Sequence, residues 1–251
     1  MQQFDLTTLP RLIDISAVRT DVTLEEVKNI IHIAKQFRFI CVFAMPCYTP
    51  VLIEALKDEE DINIGGVVGF PSGADTTRIK VAQAKELIEM GCNELDMVIN
   101  VGALKSGNYD YVRDDIKAIT NIAGDIPVKA ILEIAYLSDE EIAKGSILAV
   151  EAGVTYVKTG TGWGAKPTTS DTIRIIKDAI GDRALIKAAG GARTLDSVLD
   201  MMEEGCTRFG IGLTSAINIL KEAYEREGLP MPEVDMVTEN TNEMSNLEAT
   251  E

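Results

Sequence analysis

Eight short β-rich runs, each followed by an amphipathic helical run, predict a single-domain α/β chain closed into a (βα)8, or TIM, barrel. Two further observations agree: several helical runs end on glycine before the next strand, and composition does not shift between units. An open, doubly wound sheet is the alternative that the same alternation allows. The 251 residues suit one large barrel or two smaller domains, and 46% apolar with 25% charged residues is ordinary for a soluble globular protein. General disorder is thereby excluded.

The first strand is read at Leu12–Val18 and the first helix at Leu24–Phe37, where Thr23 is the N-cap and Glu25 and Glu26 place acids in the first turn. Strands at Phe39–Ala44 and Asn63–Gly69 are followed by helices at Pro50–Lys57 and Thr76–Met90, the second stopped by Gly91. Glu94–Val101 and Val128–Ile134 are the fourth and fifth strands, with helices at Tyr109–Ile122 and Asp139–Glu151. The latter opens on Ser138 followed by three acids and closes before Gly153. Thr155–Thr159, Ala184–Ala188 and Arg208–Ile211 complete the strands, with helices at Thr169–Ile180, Leu195–Glu204 and Thr214–Glu227. Residues 1–229 form the expected barrel. Residues 230–251 are acidic and aperiodic, and are expected to be a solvated, flexible tail.

A net charge of −16 argues against nucleic acid as the main partner, because phosphate neutralisation needs an excess of Lys and Arg. No apolar run is long enough for a membrane span, and Met1–Leu12 lacks the pattern of a secretory signal. Cys41, Cys47, Cys92 and Cys206 form no CxxC pair, so buried thiols in a reducing, cytoplasmic setting are expected rather than disulfides or zinc. The single histidine, His32, sits in a helical pattern and is read as structural; no metal site is expected.

The informative feature is charge inside strands. Asp96 lies in the fourth strand, Lys129 and Glu133 in the fifth, Lys158 in the sixth and Lys187 in the seventh. Side chains alternate faces along a strand, so Lys129 and Glu133 share a face. If all five point inward, neighbouring strands about 5 Å apart gather them near the barrel mouth. A purely structural ion-pair network is the alternative, and Lys129 and Glu133 are as readily a buried pair that shapes the site as catalytic groups. Lysines and a carboxylate without histidine or metal suit amine chemistry on a carbonyl. A free lysine, with pKa about 10.4, is almost wholly protonated at neutral pH. A second ammonium and an apolar wall both lower that value. Lys158, beside Lys187, can then form a Schiff base whose iminium withdraws electrons from a C–C bond, while Asp96 moves protons.

At these residues the chain resembles the deoxyribose-phosphate aldolase family, from about Leu12 to Leu220. The segments that carry the resemblance are Val67–Gly73, Glu94–Gly107, Val157–Gly162 and Ile186–Arg193. The resemblance implies a (βα)8 barrel that reversibly cleaves 2-deoxy-D-ribose 5-phosphate to acetaldehyde and D-glyceraldehyde 3-phosphate. It implies Lys158 as the Schiff-base lysine, Lys187 as the lysine that depresses its pKa, and Asp96 as the proton shuttle. It also implies substrate contacts from Thr161, Gly162, Gly190, Gly191, Gly210, Gly212 and Arg193, supporting roles for Lys129 and Glu133, no cofactor, and a possible homodimer. A small-molecule aldehyde and a sugar phosphate are the partners expected.

The sequence departs from the family pattern at four places. Gly160 stands where Ser is usual in the Lys-Thr-Ser-Thr-Gly segment, and Trp163 where Phe or Lys is common. Ile13–Ser16 reads Ile-Asp-Ile-Ser instead of Ile-Asp-His-Thr, and Gly212 and Leu213 replace the usual small hydroxyl residues after Gly210. The catalytic centre reads as intact and the phosphate end as altered. The alternatives are the same chemistry on a different or unphosphorylated aldehyde, a transaldolase- or dehydratase-type Schiff-base barrel, and a barrel that binds sugar phosphate without turnover.

Overall fold

The computed structural model describes residues 8–236. Its eight strands are β1 (Ile13–Ala17), β2 (Cys41–Ala44), β3 (Asn63–Val68), β4 (Glu94–Val98), β5 (Val128–Ile131), β6 (Tyr156–Lys158), β7 (Leu185–Ala189) and β8 (Arg208–Gly212). All pair in parallel in chain order, and β1 pairs with β8, so the sheet is a closed barrel. Closure excludes the open-sheet alternative.

The helices are α1 (Leu24–Phe37), α2 (Thr49–Leu56), α3 (Thr77–Met90), α4 (Val101–Lys105), α5 (Tyr109–Ala123), α6 (Asp139–Glu151), α7 (Ser170–Ile180), α8 (Leu195–Glu203) and α9 (Leu213–Arg226). Eight match the expected runs to within a residue or so at each end. The extra helix, α4, has five residues, too few for a hydrophobic period to register. It starts because Asn100 Oδ1 accepts the Ala103 N–H at 2.9 Å. Thr23 and Ser138 both form full capping boxes, with Glu26 and Glu141 respectively. α3 ends with Gly91 at φ 113°, a left-handed turn that a side chain would strain.

The strands are buried on both faces, as parallel strands under helices must be. The main core lies outside the barrel, where α1 residues Val27, Ile30, Ile33 and Ala34 join outward strand residues such as Ile15 and Val42. Each fully buried Ile or Leu there contributes about 1.5–3 kcal/mol. The barrel interior holds a small apolar cluster of Cys41, Phe43 and Val67, because many of the other inward positions are charged or glycine. Phe43 fits because β3 offers Gly65 beneath it; a Cβ there would meet the ring at 2.2 Å.

Two expectations are corrected. Cys41, Cys92 and Cys206 are buried, but Cys47 is exposed in a short 3-10 turn after β2. The start of the presumed tail is held: Met231 and Val234 pack on the core, and Gln36 Nε2 donates to the Glu233 carbonyl at 2.7 Å. The rest of that segment, residues 237–251, lies outside the described residues. Among the described residues no helix is long and apolar enough to cross a membrane.

Candidate active site

Parallel register places the charged strand residues side by side. Asp96 on β4 pairs with Lys129 on β5, Lys158 on β6 with Lys187 on β7, and Lys187 with Arg208 on β8. Closure brings Asp14 of β1 alongside β8. Seven charged side chains therefore share the interior: Asp14, Glu94, Asp96, Lys129, Lys158, Lys187 and Arg208.

They form two levels. Glu94 and Arg208 begin their strands, at the amino end of the barrel, and Arg208 donates to Glu94 Oε1 at 3.1 Å and to Asp14 Oδ1 at 3.0 Å. Lys129 contacts Glu94 and lies 3.2 Å from Asp96 Oδ1 and 3.5 Å from Asp14 Oδ2. Above them, Lys158 and Lys187 each donate to Asp96 Oδ2 at 2.6 Å, and Lys187 is also 2.6 Å from Asp14 Oδ2. Phe43 lies below the upper lysines, 4.3 Å from Lys187 Nζ and 6.0 Å from Lys158 Nζ.

The electrostatics follow from this geometry. Burial alone would raise the Asp96 pKa, but Lys129, Lys158 and Lys187 outweigh it and hold the carboxyl well below its ordinary range. Burial opposes the charge on Lys129, yet Asp96, Asp14 and Glu94 keep it firmly protonated. Lys158 is the exception. Burial and the Lys187 and Lys129 charges outweigh its single carboxylate, and its pKa falls to about 8. Four cationic groups face three carboxylates, and that excess of positive charge is part of what lowers the Lys158 pKa.

Lys158 is the last residue of β6 and opens, with Asp96 and Lys187, onto a cavity of about 450 Å³ at the carboxyl end of the barrel. That is the face on which (βα)8 enzymes carry their sites. Thr161, Gly162, Gly190, Gly191, Gly210, Gly212 and Arg193 also line this cavity, as do Arg19, Ser16, Trp163 and Ser215. The β6 and β7 loops are tied together below it: Thr168 Oγ1 donates to the Ala189 carbonyl at 2.8 Å, and Thr168 N–H to the Gly190 carbonyl at 3.2 Å. Gly191 packs so closely that a Cβ would lie 2.2 Å from the Thr168 carbonyl oxygen. Gly212 precedes the first turn of α9, whose unpaired N–H groups open toward the same end.

The Lys129–Glu133 pair, one of the two alternatives for these residues, does not form. Lys129 is committed to Glu94, Asp14 and Asp96, below the cavity. Glu133 lies beyond the end of β5 in a left-handed conformation, φ 58° and ψ 60°, which breaks the strand alternation that the pairing assumed. Its Oε2 instead accepts the Thr161 N–H at 2.9 Å and fixes the β6 loop. Asp14, Glu94 and Arg208 were not singled out from the sequence. Each is a charge inside a strand, so the signal that marked Asp96 marked them too. Phe43 carried no such signal. His32 lies on α1 and lines no part of the cavity.

Asp14, Cys41 and Glu94 bring ligand atoms within 4.8 Å of one another. Their chemistry does not suit a metal. Both carboxylates are already engaged by lysine and arginine, and burial next to them pushes the Cys41 thiol well above its ordinary pKa.

Comparison with known proteins agrees with the fold. The family model described as "DeoC/LacD family aldolase" matches residues 1–222. The deoxyribose-phosphate aldolase of Sinorhizobium medicae is 44% identical over 220 residues, covering 88% of this chain and 89% of that protein. The Klebsiella pneumoniae deoxyribose-phosphate aldolase is 40% identical, over 84% and 86% of the two chains. Among solved structures, the aldolase QR15 superimposes with a TM-score of 0.80 at 32% identity, covering 87% of this chain and 97% of its own. The deoxyribose phosphate aldolase of Aeropyrum pernix, described as a tetramer, gives 0.79 at 25% identity, covering 88% and 93%. A buried lysine cluster at the mouth of a closed barrel and relatives of this similarity lead to one conclusion: the chain belongs to the DeoC/LacD family of aldolases and is a lyase.

Proposed function

We propose that the protein is a class I aldolase that cleaves 2-deoxy-D-ribose 5-phosphate reversibly to acetaldehyde and D-glyceraldehyde 3-phosphate through a Schiff base on Lys158. One observation carries the reading. Lys158, with its pKa lowered to about 8, is 7% exposed at the cavity floor, whereas Lys187 is 1% exposed and held by two carboxylates. The reachable lysine is thus one whose pKa is lowered toward neutrality.

The steps follow from that arrangement. Neutral Lys158 attacks C1 of the open-chain aldehyde, and loss of water gives an iminium. A base removes the proton of the C3 hydroxyl, the C2–C3 bond breaks, and its electrons move through C2 into the iminium to give an enamine. The C3 oxygen becomes the carbonyl of glyceraldehyde 3-phosphate. Protonation of C2 and hydrolysis then free acetaldehyde and Lys158. Asp96 and Lys187 are the proton-handling pair in this reading, acting directly or through water. The substrate phosphate is held at the Gly190–Gly191 and Gly212 ends of the cavity, mainly by backbone N–H groups, with Arg193 adding charge. Because the usual hydroxyls after Gly210 are absent, unphosphorylated aldehydes are the second acceptor class.

Borohydride trapping with acetaldehyde tests the reading. Mass mapping is expected to find reductive ethylation on Lys158, and Lys158→Ala is expected to abolish trapping and turnover together. Ethylation on Lys187 or Lys129 refutes the assignment. A cytoplasmic setting and, from the family resemblance, a homodimer accompany this reading; sedimentation velocity distinguishes the dimer from the monomer and from a tetramer.

A further inference from the structure

Trp163 is the one tryptophan of the chain, and its side chain joins three of the loops around the cavity mouth. Its indole Nε1 donates to the Val18 carbonyl, just past β1, at 2.9 Å. Its ring meets Phe70, in the loop after β3, edge to face at 6.0 Å and 86°. Its own backbone N–H donates to Thr161 Oγ1 at 3.0 Å, and Thr161 N–H is held in turn by Glu133. The next residue fixes the other side: a Cβ on Gly164 would stand 2.3 Å from the Ala135 Cβ, so the loop is pressed against the turn after β5. Although half-exposed, this side chain is held by one hydrogen bond and one ring contact, on a loop whose backbone is itself fixed on both sides.

Trp163 also lies between two spaces. Together with Thr161 and Gly164 it lines both the catalytic cavity and a second cavity of about 350 Å³. The second cavity is walled by Pro71, Ser72, Val101, Glu133 and Tyr136. It offers a carboxylate and hydroxyls but no cationic side chain, a lining that suits the hydroxyls of a longer carbon chain and not a phosphate. We infer that Trp163 is a specificity-determining residue, the partition that ends the acceptor side of the catalytic cavity and restricts the enzyme to short acceptor aldehydes. The inference rests on the aldolase reading above and adds to it the class of acceptor: a hydroxyaldehyde of about three carbons is admitted, and longer polyhydroxylated chains are turned away for want of the space behind the indole.

The test is a specificity ratio measured within each variant, which cancels any change in the amount of active enzyme. The ratio is kcat/KM for 2-deoxy-D-glucose, whose cleavage releases a four-carbon acceptor, over kcat/KM for 2-deoxy-D-ribose, both without the phosphate that would tie the acceptor to the glycine-lined end. Trp163→Ala is expected to raise it roughly tenfold or more, the scale on which apolar pocket walls discriminate. Trp163→Phe, which keeps an aromatic wall, is expected to stay within a few-fold of the parent. A ratio unchanged or lowered in Trp163→Ala overturns the inference. A second measurement needs no variant: emission of the single tryptophan is expected to shift as D-glyceraldehyde 3-phosphate is added to the intact protein, and unchanged emission at concentrations that drive the condensation with acetaldehyde overturns the inference. Failure of the aldolase reading shows separately, as absence of acetaldehyde trapping in the intact protein.

Discussion

Lys158 and Lys187 are register partners on adjacent strands, and both ammonium nitrogens lie 2.6 Å from the same oxygen, Asp96 Oδ2. The two lysines therefore compete for one half of one carboxylate. Lys187 has a second carboxylate, Asp14, and Lys158 has none. Burial is the largest cause that lowers the Lys158 pKa, to about 8, and the Asp96 carboxylate does not offset it.

The rate of Schiff-base formation is expected to rise with pH along a limb centred near 8, where Lys158 loses its proton. The Lys187 charge lowers the Lys158 pKa, so Lys187→Met is expected to move that limb to higher pH. The check is kcat/KM for cleavage against pH, and an unmoved limb counts against the electrostatic role of Lys187.

Asp96→Asn is expected to move the same limb the other way. Asp96 is the main group favouring protonated Lys158, so its removal leaves the lysine neutral at lower pH. Turnover nevertheless falls, because the proton-handling group is gone, and kcat drops more than KM changes. A downward limb with reduced kcat is the signature that separates this role from simple loss of structure, which leaves the position of the limb unmoved.

Arg208→Met tests the lower level of the cluster. Arg208 is buried and donates to both Asp14 and Glu94, so its loss leaves two interior carboxylates short of a partner. Breaking a buried pair in this way costs about 3–5 kcal/mol, read as a lower urea midpoint at pH 7. The Asp14 and Asp96 carboxyls are both depressed in the folded protein, Asp14 because Lys187, Lys129 and Arg208 outweigh its burial. The stability they add is complete above the unfolded pKa of about 3.9 and is lost as the pH falls below it toward their folded values. Urea midpoints of the parent measured from pH 6 downward are expected to decline accordingly.

The phosphate end gives the fourth expectation. Each hydrogen bond to a charged group is worth about 1.5–3 kcal/mol, roughly tenfold to a hundredfold in affinity. The ratio of kcat/KM for 2-deoxy-D-ribose 5-phosphate to that for 2-deoxy-D-ribose is therefore expected to be smaller here than in a relative with the usual hydroxyls after the last strand. Arg193→Ala is expected to lower it further. An equal or larger ratio in the parent protein means that other donors, Ser215 among them, have rebuilt the site.

The local sequence determined most of the architecture. Caps at Thr23 and Ser138, the glycine stop at Gly91 and period-two strands are short-range features, and each is where the composition of its own segment puts it. It also set which residues of a strand share a face, while the inward direction of Asp96, Lys129, Lys158 and Lys187 was a condition that the closed barrel meets. Glu133 escaped that rule because β5 ends at Ile131 and a left-handed residue follows, a conformation that the segment alone does not announce for a glutamate. The tertiary structure alone decided which charges meet at which oxygen. Asp14 and Arg208 are 194 residues apart, and only closure of β8 onto β1 makes them partners. The same closure removes water from four cations and three carboxylates at once, and that shared desolvation, more than the neighbour Lys187 alone, brings Lys158 to a pKa at which it can act.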